Sequence, residues 1–308
     1  MKQNKQMLAD SSKISIGLLT YKRTDLLIST IKDIVASEYK IDLIVVNNNE
    51  DIDIVNELYF IKDYPHINLI YIWDRRNYGV SIGRNRIIEE VKTQYVIILD
   101  DDVDIPSIDT IIDDCVYNFE KDSTIGGIAF HIKDIKTRKP NRFEIPHKNK
   151  KIDLEQDFDT YIFIGAGHAL NMNVIHQISA YPDDFGMYGM EEIDLSFRII
   201  NSGAKIRFLS KCVIFHKRSP NGRHANNIVY YLSYINRVKI ALRYFKLKYI
   251  ISVIIVRGIY MLYRTRNFGF IVKAMKDIKR EIDITDKKNK FKRDFYLYIK
   301  RVKGFIWW

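Results

Sequence analysis

Residues 13–35 read KISIGLLTYKRTDLLISTIKDIV, and the change of pattern inside them decides the fold. Lys13 to Thr20 is a short apolar run, which predicts a buried strand. After the polar turn Tyr21-Lys22-Arg23, apolar residues recur at helical spacing from about Thr24 to Val35, which predicts a helix with one buried face. The unit then repeats. Strand-like runs at Ile41–Val46, Ile67–Trp73 and Tyr95–Leu99 alternate with helical stretches near Ile52–Ile61 and Val80–Val91. That alternation predicts an α/β fold with a mixed, mostly parallel sheet covered on both faces, and ligands at the carboxyl ends of its strands.

Outward from this core the pattern changes twice. From His131 to about Asp159 the chain is polar and Lys-rich, which predicts a surface excursion, a mobile loop over the site. A helix from about Glu191 to Ile200, closed by Asn201-Ser202-Gly203, leads into a last strand-like run ending at His216. Past Lys217 the sequence becomes basic and aromatic. From there to the end it carries 23 Lys and Arg against 5 Asp and Glu, a balance of +18; residues 1–216 carry 26 against 33, or −7. A mildly acidic globular part followed by a basic one points to anionic partners for the second part, membrane lipid or nucleic acid.

At 308 residues, 47% hydrophobic, the chain can bury a substantial core and has neither a disordered nor a fibrous composition. Cys115 and Cys212 match no metal or disulfide spacing, as expected in a reducing cytosol. No apolar block precedes Ile14, so a cytoplasmic location is expected.

The sharpest chemical signal is Asp100-Asp101-Asp102, directly after Tyr95-Val-Ile-Ile-Leu99. In extended backbone Asp100 and Asp102 project to one side, where two carboxylates can converge on a divalent cation or a sugar ring. Three adjacent carboxylates also fit a solvated acidic turn that caps the helix near Ile108. The second signal is Glu191-Glu192-Ile-Asp194-Leu-Ser-Phe-Arg198 after Gly186-Met-Tyr-Gly189. Asp194 and Arg198 can pair on one helix face, and carboxylates suit the first turn of a helix. A carboxylate exposed there in a cleft would also serve as a general base. His216 ends the last strand; it reads as a hydrogen-bonded edge residue or as a metal ligand beside Asp102.

Taken in order, LLTYKR at 18–23, VVNNNE at 45–50, NYGVSIGRN at 77–85, LDDDVDIP at 99–106, GAGHALNM at 165–172, EEIDLSFR at 191–198 and IFHK at 214–217 resemble the inverting family 2 glycosyltransferases of the GT-A fold. The nearest flavour is the bacterial rhamnosyltransferase-like branch that builds capsules and lipopolysaccharide. The resemblance implies a GT-A (Rossmann-like) catalytic domain over residues 1–217, with a nucleotide-sugar half to about 106 and an acceptor half over 107–217. A basic amphipathic helical region, 218–308, follows. It implies a nucleotide-diphosphate sugar as donor, a glycan or lipid-linked glycan as acceptor, and Mn2+ or Mg2+ as cofactor. Thr20, Arg23, Asn47, Arg84, Asp100 and Asp101 fall where the family meets the nucleotide sugar, Asp102 and His216 where it meets the metal. Glu192 falls on the position of the base, with Glu191 and Asp194 as alternatives because Glu replaces the commoner Asp. Asn47 likewise replaces an Asp that receives the nucleobase N–H.

A nucleotidyltransferase would also use carboxylates and a metal, but LLTYKRTDLL lacks the usual Gly-rich first loop. A basic nucleic-acid-binding protein would need a recognition motif, and none is present, so no nucleic-acid partner is expected. The interleaved aromatic, aliphatic and basic residues from Tyr230 on, and the ending Phe305-Ile-Trp-Trp308, predict helices lying on an anionic membrane at its inner face. No stretch there is long enough to span it. The competing reading is a helical subdomain packed on the catalytic core.

Overall fold

The computed structural model describes residues 13–219, 226–285 and 290–306. Its first half is the repeating unit expected: β1 Ile14–Thr20, α1 Thr24–Val35, β2 Ile41–Asn47, β3 Ile67–Ile72, α2 Gly79–Glu90 and β4 Tyr95–Asp100. These strands pair in parallel in the order β3-β2-β1-β4. The expected helix near Ile52–Ile61 is replaced by turns and a short 3-10 segment, Tyr59–Asp63. Side chains there outbid the helix for the backbone: Asp53 accepts from the Val55 N–H at 3.0 Å, and Asn47 donates to the Ile52 carbonyl at 2.7 Å.

The second half supplies β5 Val103–Asp104, α3 Ile108–Lys121, β6 Ile125–Asp134, β7 Phe158–Thr160, β8 Gly167–Asn171, α4 Met172–Ile178, α5 Glu191–Asn201 and β9 Lys205–His216. The sheet continues from β4 through β8, β6, β9 and β5, with β7 also on β9, so nine strands form one mixed sheet. Its parallel part is the first four strands and the β6–β9 pair. Both faces are buried. Alternate residues of β2 show this, Leu43 and Val45 facing one core with Leu27 and Ile31 of α1, Ile44 and Val46 facing the other.

The polar excursion is less superficial than its composition predicts. Strand β6 runs on through Asp134, and residues 144–147 of the following loop are buried. Cys115 and Cys212, distant in sequence, meet in the core with their sulfurs 3.9 Å apart. Beyond residue 217 come α6 Asn226–Tyr244, α7 Leu247–Ser252, a π-helical turn Val253–Arg257, α8 Gly258–Thr265, α9 Gly269–Ile284 and α10 Arg293–Arg301. Val238 of α6 and Phe295 and Ile299 of α10 are buried in the same core as Leu195 and Phe197 of α5. The C-terminal helices therefore do pack on the sheet domain. The terminal Trp307 and Trp308 lie outside the described residues.

Candidate active site

The carboxyl ends of β1, β2 and β4 lie side by side, as the register Leu19–Asp100 and Thr20–Asn47 fixes. This places Thr20, Asn47 and the three aspartates at one edge of the sheet. The Asp turn is held from α1. The Thr30 hydroxyl lies 3.0 and 2.7 Å from the Asp101 and Val103 carbonyls, and Asp33 accepts from the Ile105 N–H at 2.8 Å. Strand β5 then pairs antiparallel with β9, setting Val103 opposite His216. That one pairing carries the histidine to the aspartates.

Strand β4 ends at Asp100, and Asp101 and Asp102 form a turn rather than the extended backbone expected; the three aspartates divide within that turn. Asp101 is fully buried; it accepts from the Thr20 hydroxyl at 2.7 Å and pairs with Arg23 at 2.8 Å. Burial pushes its carboxyl up to about 7, against the opposing pull of Arg23 and Thr20. Both its oxygens are spent inside the protein, so a direct contact to a ligand would require these bonds to open. Asp100 and Asp102 converge instead with His216: one ligand atom from each can be chosen within 4.8 Å of the others. Arg23 also reaches Asp102 at 3.0 Å, and the Ser219 N–H donates to the same oxygen at 2.8 Å.

His216 stands between two carboxylates. Its Nε2 is 3.1 Å from Oδ1 of Asp102, and its Nδ1 is 2.6 Å from Oε1 of Glu144. Burial alone would favour the neutral ring, but Asp102 and Glu144 outweigh it and hold the imidazole up to about 9. Burial likewise works against the Asp102 charge, yet His216, Arg23 and the Ser219 N–H hold it down to about 2. Glu144 is the residue that sequence reasoning missed. It sits in the polar excursion, 72 positions from its partner, where no local period marks it.

These residues fit a divalent cation. Asp102 Oδ1 and His216 Nε2 are buried yet neither makes a hydrogen bond of good geometry. Two donors about 2.1 Å from one ion and at right angles lie about 3 Å apart, which is their observed separation. A carboxylate pair with one imidazole suits Mn2+ or Mg2+ better than a thiophilic metal.

Arg84 ties this cluster to the second motif. Buried on α2, it reaches Asp100 at 3.1 Å, Glu191 at 2.9 Å and the Gly165 carbonyl at 2.9 Å. A Cβ at Gly165 would lie 2.9 Å from the Arg84 Nη2 and displace the guanidinium from its carboxylates. Glu191 also accepts from the Gly189 N–H at 3.1 Å, and Asp194 is held by Arg198 at 2.6 Å. Among the described residues Glu192 has no such partner, and it faces a cavity. Burial, then the neighbouring Glu191 charge, pushes its carboxyl up to about 8. Asn47 is occupied as well: its amide donates to Ile52 and to the Tyr71 hydroxyl, and its carbonyl accepts twice from Asn49.

The sequence model of glycosyl transferase family 2 matches residues 15–179. An uncharacterized protein of Haemophilus influenzae is 37% identical over 144 residues, 46% of this chain and 78% of that protein. Among solved structures, the mannosyltransferase PcManGT from Pyrobaculum calidifontis, in complex with GDP-Man and Mn2+, has a TM-score of 0.61 at 16% identity. The match covers 87% of this chain and 75% of that one. GalNAc-T7 with UDP, GalNAc and Mn2+ has a TM-score of 0.64 at 12% identity over 94% of this chain and 56% of that one. S. aureus TarS 1-349 in complex with UDP-GlcNAc has a TM-score of 0.61 at 12% identity over 88% and 81%. At these identities the likeness to solved structures is one of fold.

Proposed function

Because the chain belongs to glycosyl transferase family 2, we propose that it moves a sugar from a nucleotide-diphosphate donor to an acceptor hydroxyl with inversion, in the assembly of a bacterial surface glycan. The observation that carries this reading is the convergence of Asp100, Asp102 and His216 at the end of β4, linked through Arg84 to the helix that presents Glu192. The nucleotide would lie over the carboxyl ends of β1 and β2, near Thr20, Arg23 and Asn47. Asp100, Asp102 and His216 would hold Mn2+ or Mg2+, which when bound neutralises charge developing on the leaving diphosphate.

The chain's own residues supply the rest. Arg84, fixed by two carboxylates, orients Asp100 toward the donor. Glu192 takes the proton of the acceptor hydroxyl while the acceptor oxygen bonds to the anomeric carbon. The bond to the diphosphate oxygen breaks in the same displacement, and its electron pair leaves with the diphosphate. Of the three candidate carboxylates, Glu191 is paired with Arg84 and Asp194 with Arg198, which favours Glu192 as the base.

The C-terminal helices support attachment to an anionic membrane. Leu247, Ile251, Ile255, Ile259 and Tyr263 recur every four residues along the continuous stretch from α7 through α8, each 49–72% exposed. An apolar ridge on a region of +18 balance matches a surface that offers acyl chains beneath phosphates. Among the described residues no helix is long and apolar enough to cross a membrane, so the contact proposed is one of lying on it.

A panel of UDP-, GDP- and dTDP-sugars, assayed for donor hydrolysis and transfer with Mn2+, with Mg2+ and with chelator, tests the reading. Turnover of at least one donor, abolished by chelation and by Asp102→Asn, is expected; turnover indifferent to both removes the metal from the mechanism.

A further inference from the structure

A cavity of about 780 Å³ lies between residues 161–164, the start of α5, α6 and the π turn, in the range of about 300–1,000 Å³ usual for small-molecule sites. Among its described lining residues Glu192 is the only acidic side chain, against five basic ones: Arg142, Lys148, Lys150, Arg237 and Arg257. Arg142 and Lys148 are exposed, whereas Arg237 and Arg257 are half-buried, and two like charges held near each other away from water favour an anion between them.

Arg237 is the informative member. On α6, in the wall of the cavity, it makes no hydrogen bond or ion pair with any described residue, and none of its nitrogens is sealed from the cavity. Its neighbour Arg257 comes from the π turn, whose wider winding brings Val256 and Arg257 to the cavity wall while Ile255 and Ile259 stay exposed outside. The two guanidiniums feel each other: burial, then the charge of Arg237, pushes Arg257 down to about 9. Glu192 is the acidic group that faces Arg237, and burial holds its carboxyl up to about 8 against the pull of that guanidinium. The rest of the lining includes aromatic rings. Tyr161 and Tyr234 are buried, and Phe143 stands 75% exposed at the lining.

We propose that this cavity seats the acceptor, and that the acceptor carries a phosphate group bound between Arg237 and Arg257 beside the hydroxyl offered to Glu192. A phosphate presents several strong acceptor oxygens to guanidinium donors and suits two of them at once. The group belongs either to the glycan or to the lipid that carries it; the cavity's basic lining is common to both. This inference rests on the glycosyl-transfer reading for the role of the bound molecule, but its binding chemistry can be measured without transfer.

Calorimetric titration of the full chain, saturated with UDP or GDP and Mg2+, would compare three probes: hexyl glucoside, hexyl glucoside 6-phosphate and hexyl phosphate. Both phosphate probes are expected to bind at least tenfold more tightly than the neutral glucoside. The margin should shrink severalfold in Arg237→Gln and in Lys148→Gln, the latter exposed and so a safe substitution for folding. The tighter of the two phosphate probes identifies the source, sugar or lipid. Equal binding of neutral and phosphorylated probes overturns the inference, as does a phosphate advantage untouched by both substitutions. Failure of the nucleotides themselves to bind would instead count against the glycosyl-transfer reading, and the probe comparison would still stand.

Discussion

Three carboxylates share the first turn of α5, and their partners separate them. Arg84 holds Glu191, Arg198 holds Asp194, and Glu192 faces the cavity with its carboxyl pushed from 4.5 to about 8 by burial and by Glu191. A base is active only when deprotonated, so kcat/KM for transfer should rise with pH through a limb near 8. Glu192→Gln should lower transfer by roughly 10²–10⁴-fold and abolish that limb, while donor binding persists. The same shift has a stability consequence of fixed sign. A carboxyl whose folded value is raised stabilises the fold fully below its ordinary 4.5, and this is lost as pH rises through about 8. Melting curves of wild type and Glu192→Gln should therefore converge at low pH and separate at pH 9, with the glutamine variant melting higher. If transfer in Glu192→Gln matches wild type while Asp194→Asn is folded and inactive, the base is Asp194.

Elements position these groups, and they differ in how plainly the sequence announced them. Strands β1 to β4 are apolar runs bounded by polar turns, so their existence followed from local pattern; α1 begins and ends where its period says, at Thr24 and Val35. The convergence of Asp100 with Asp102 was expected from strand alternation but is made by a turn after β4, and their meeting with His216 needed the family resemblance to suggest it. What local pattern could not supply is pairing at a distance. Glu144 meets His216 across 72 positions from inside a polar stretch, and the turns after Asn47 form because side chains capture backbone groups that a helix would use. The bridge made by Arg84 between β4 and α5 was equally silent, yet it has a visible sequence mark in Gly165. Gly165→Ala would place a methyl 2.9 Å from the Arg84 Nη2, and the guanidinium, pinned by Asp100 and Glu191, has to yield. Overpacking of this kind costs about 1–3 kcal/mol. We expect transfer to fall about tenfold or more with the circular dichroism spectrum retained, and wild-type rates in that variant would show that the bridge is dispensable.

At the scale of the whole molecule, the region after residue 217 has a buried inner surface and an exposed apolar ridge. Its inner surface is core: Val238, Phe295 and Ile299 are buried with Leu195 and Phe197, and loss of one such phenylalanine costs about 3–5 kcal/mol. Deleting the region would therefore expose the sheet domain, and a truncated chain is a poor test of what the outer surface does. The outer surface can be altered alone, because Leu247, Ile255 and Ile259 are 55–70% exposed. If that ridge lies on lipid, each inserted apolar side chain contributes through burial and each nearby Lys or Arg adds about 1 kcal/mol against an anionic surface before screening. The full chain should then co-sediment with vesicles containing anionic lipid, less so with neutral vesicles, and less again at high salt. The triple change Leu247→Ser, Ile255→Ser, Ile259→Ser should reduce sedimentation severalfold without lowering the melting temperature, since it removes no core contact. A folded triple variant that binds anionic vesicles as well as wild type would remove the ridge from membrane contact. A full chain that ignores anionic vesicles altogether would leave the +18 region as a packing element whose charge serves the cavity beneath it.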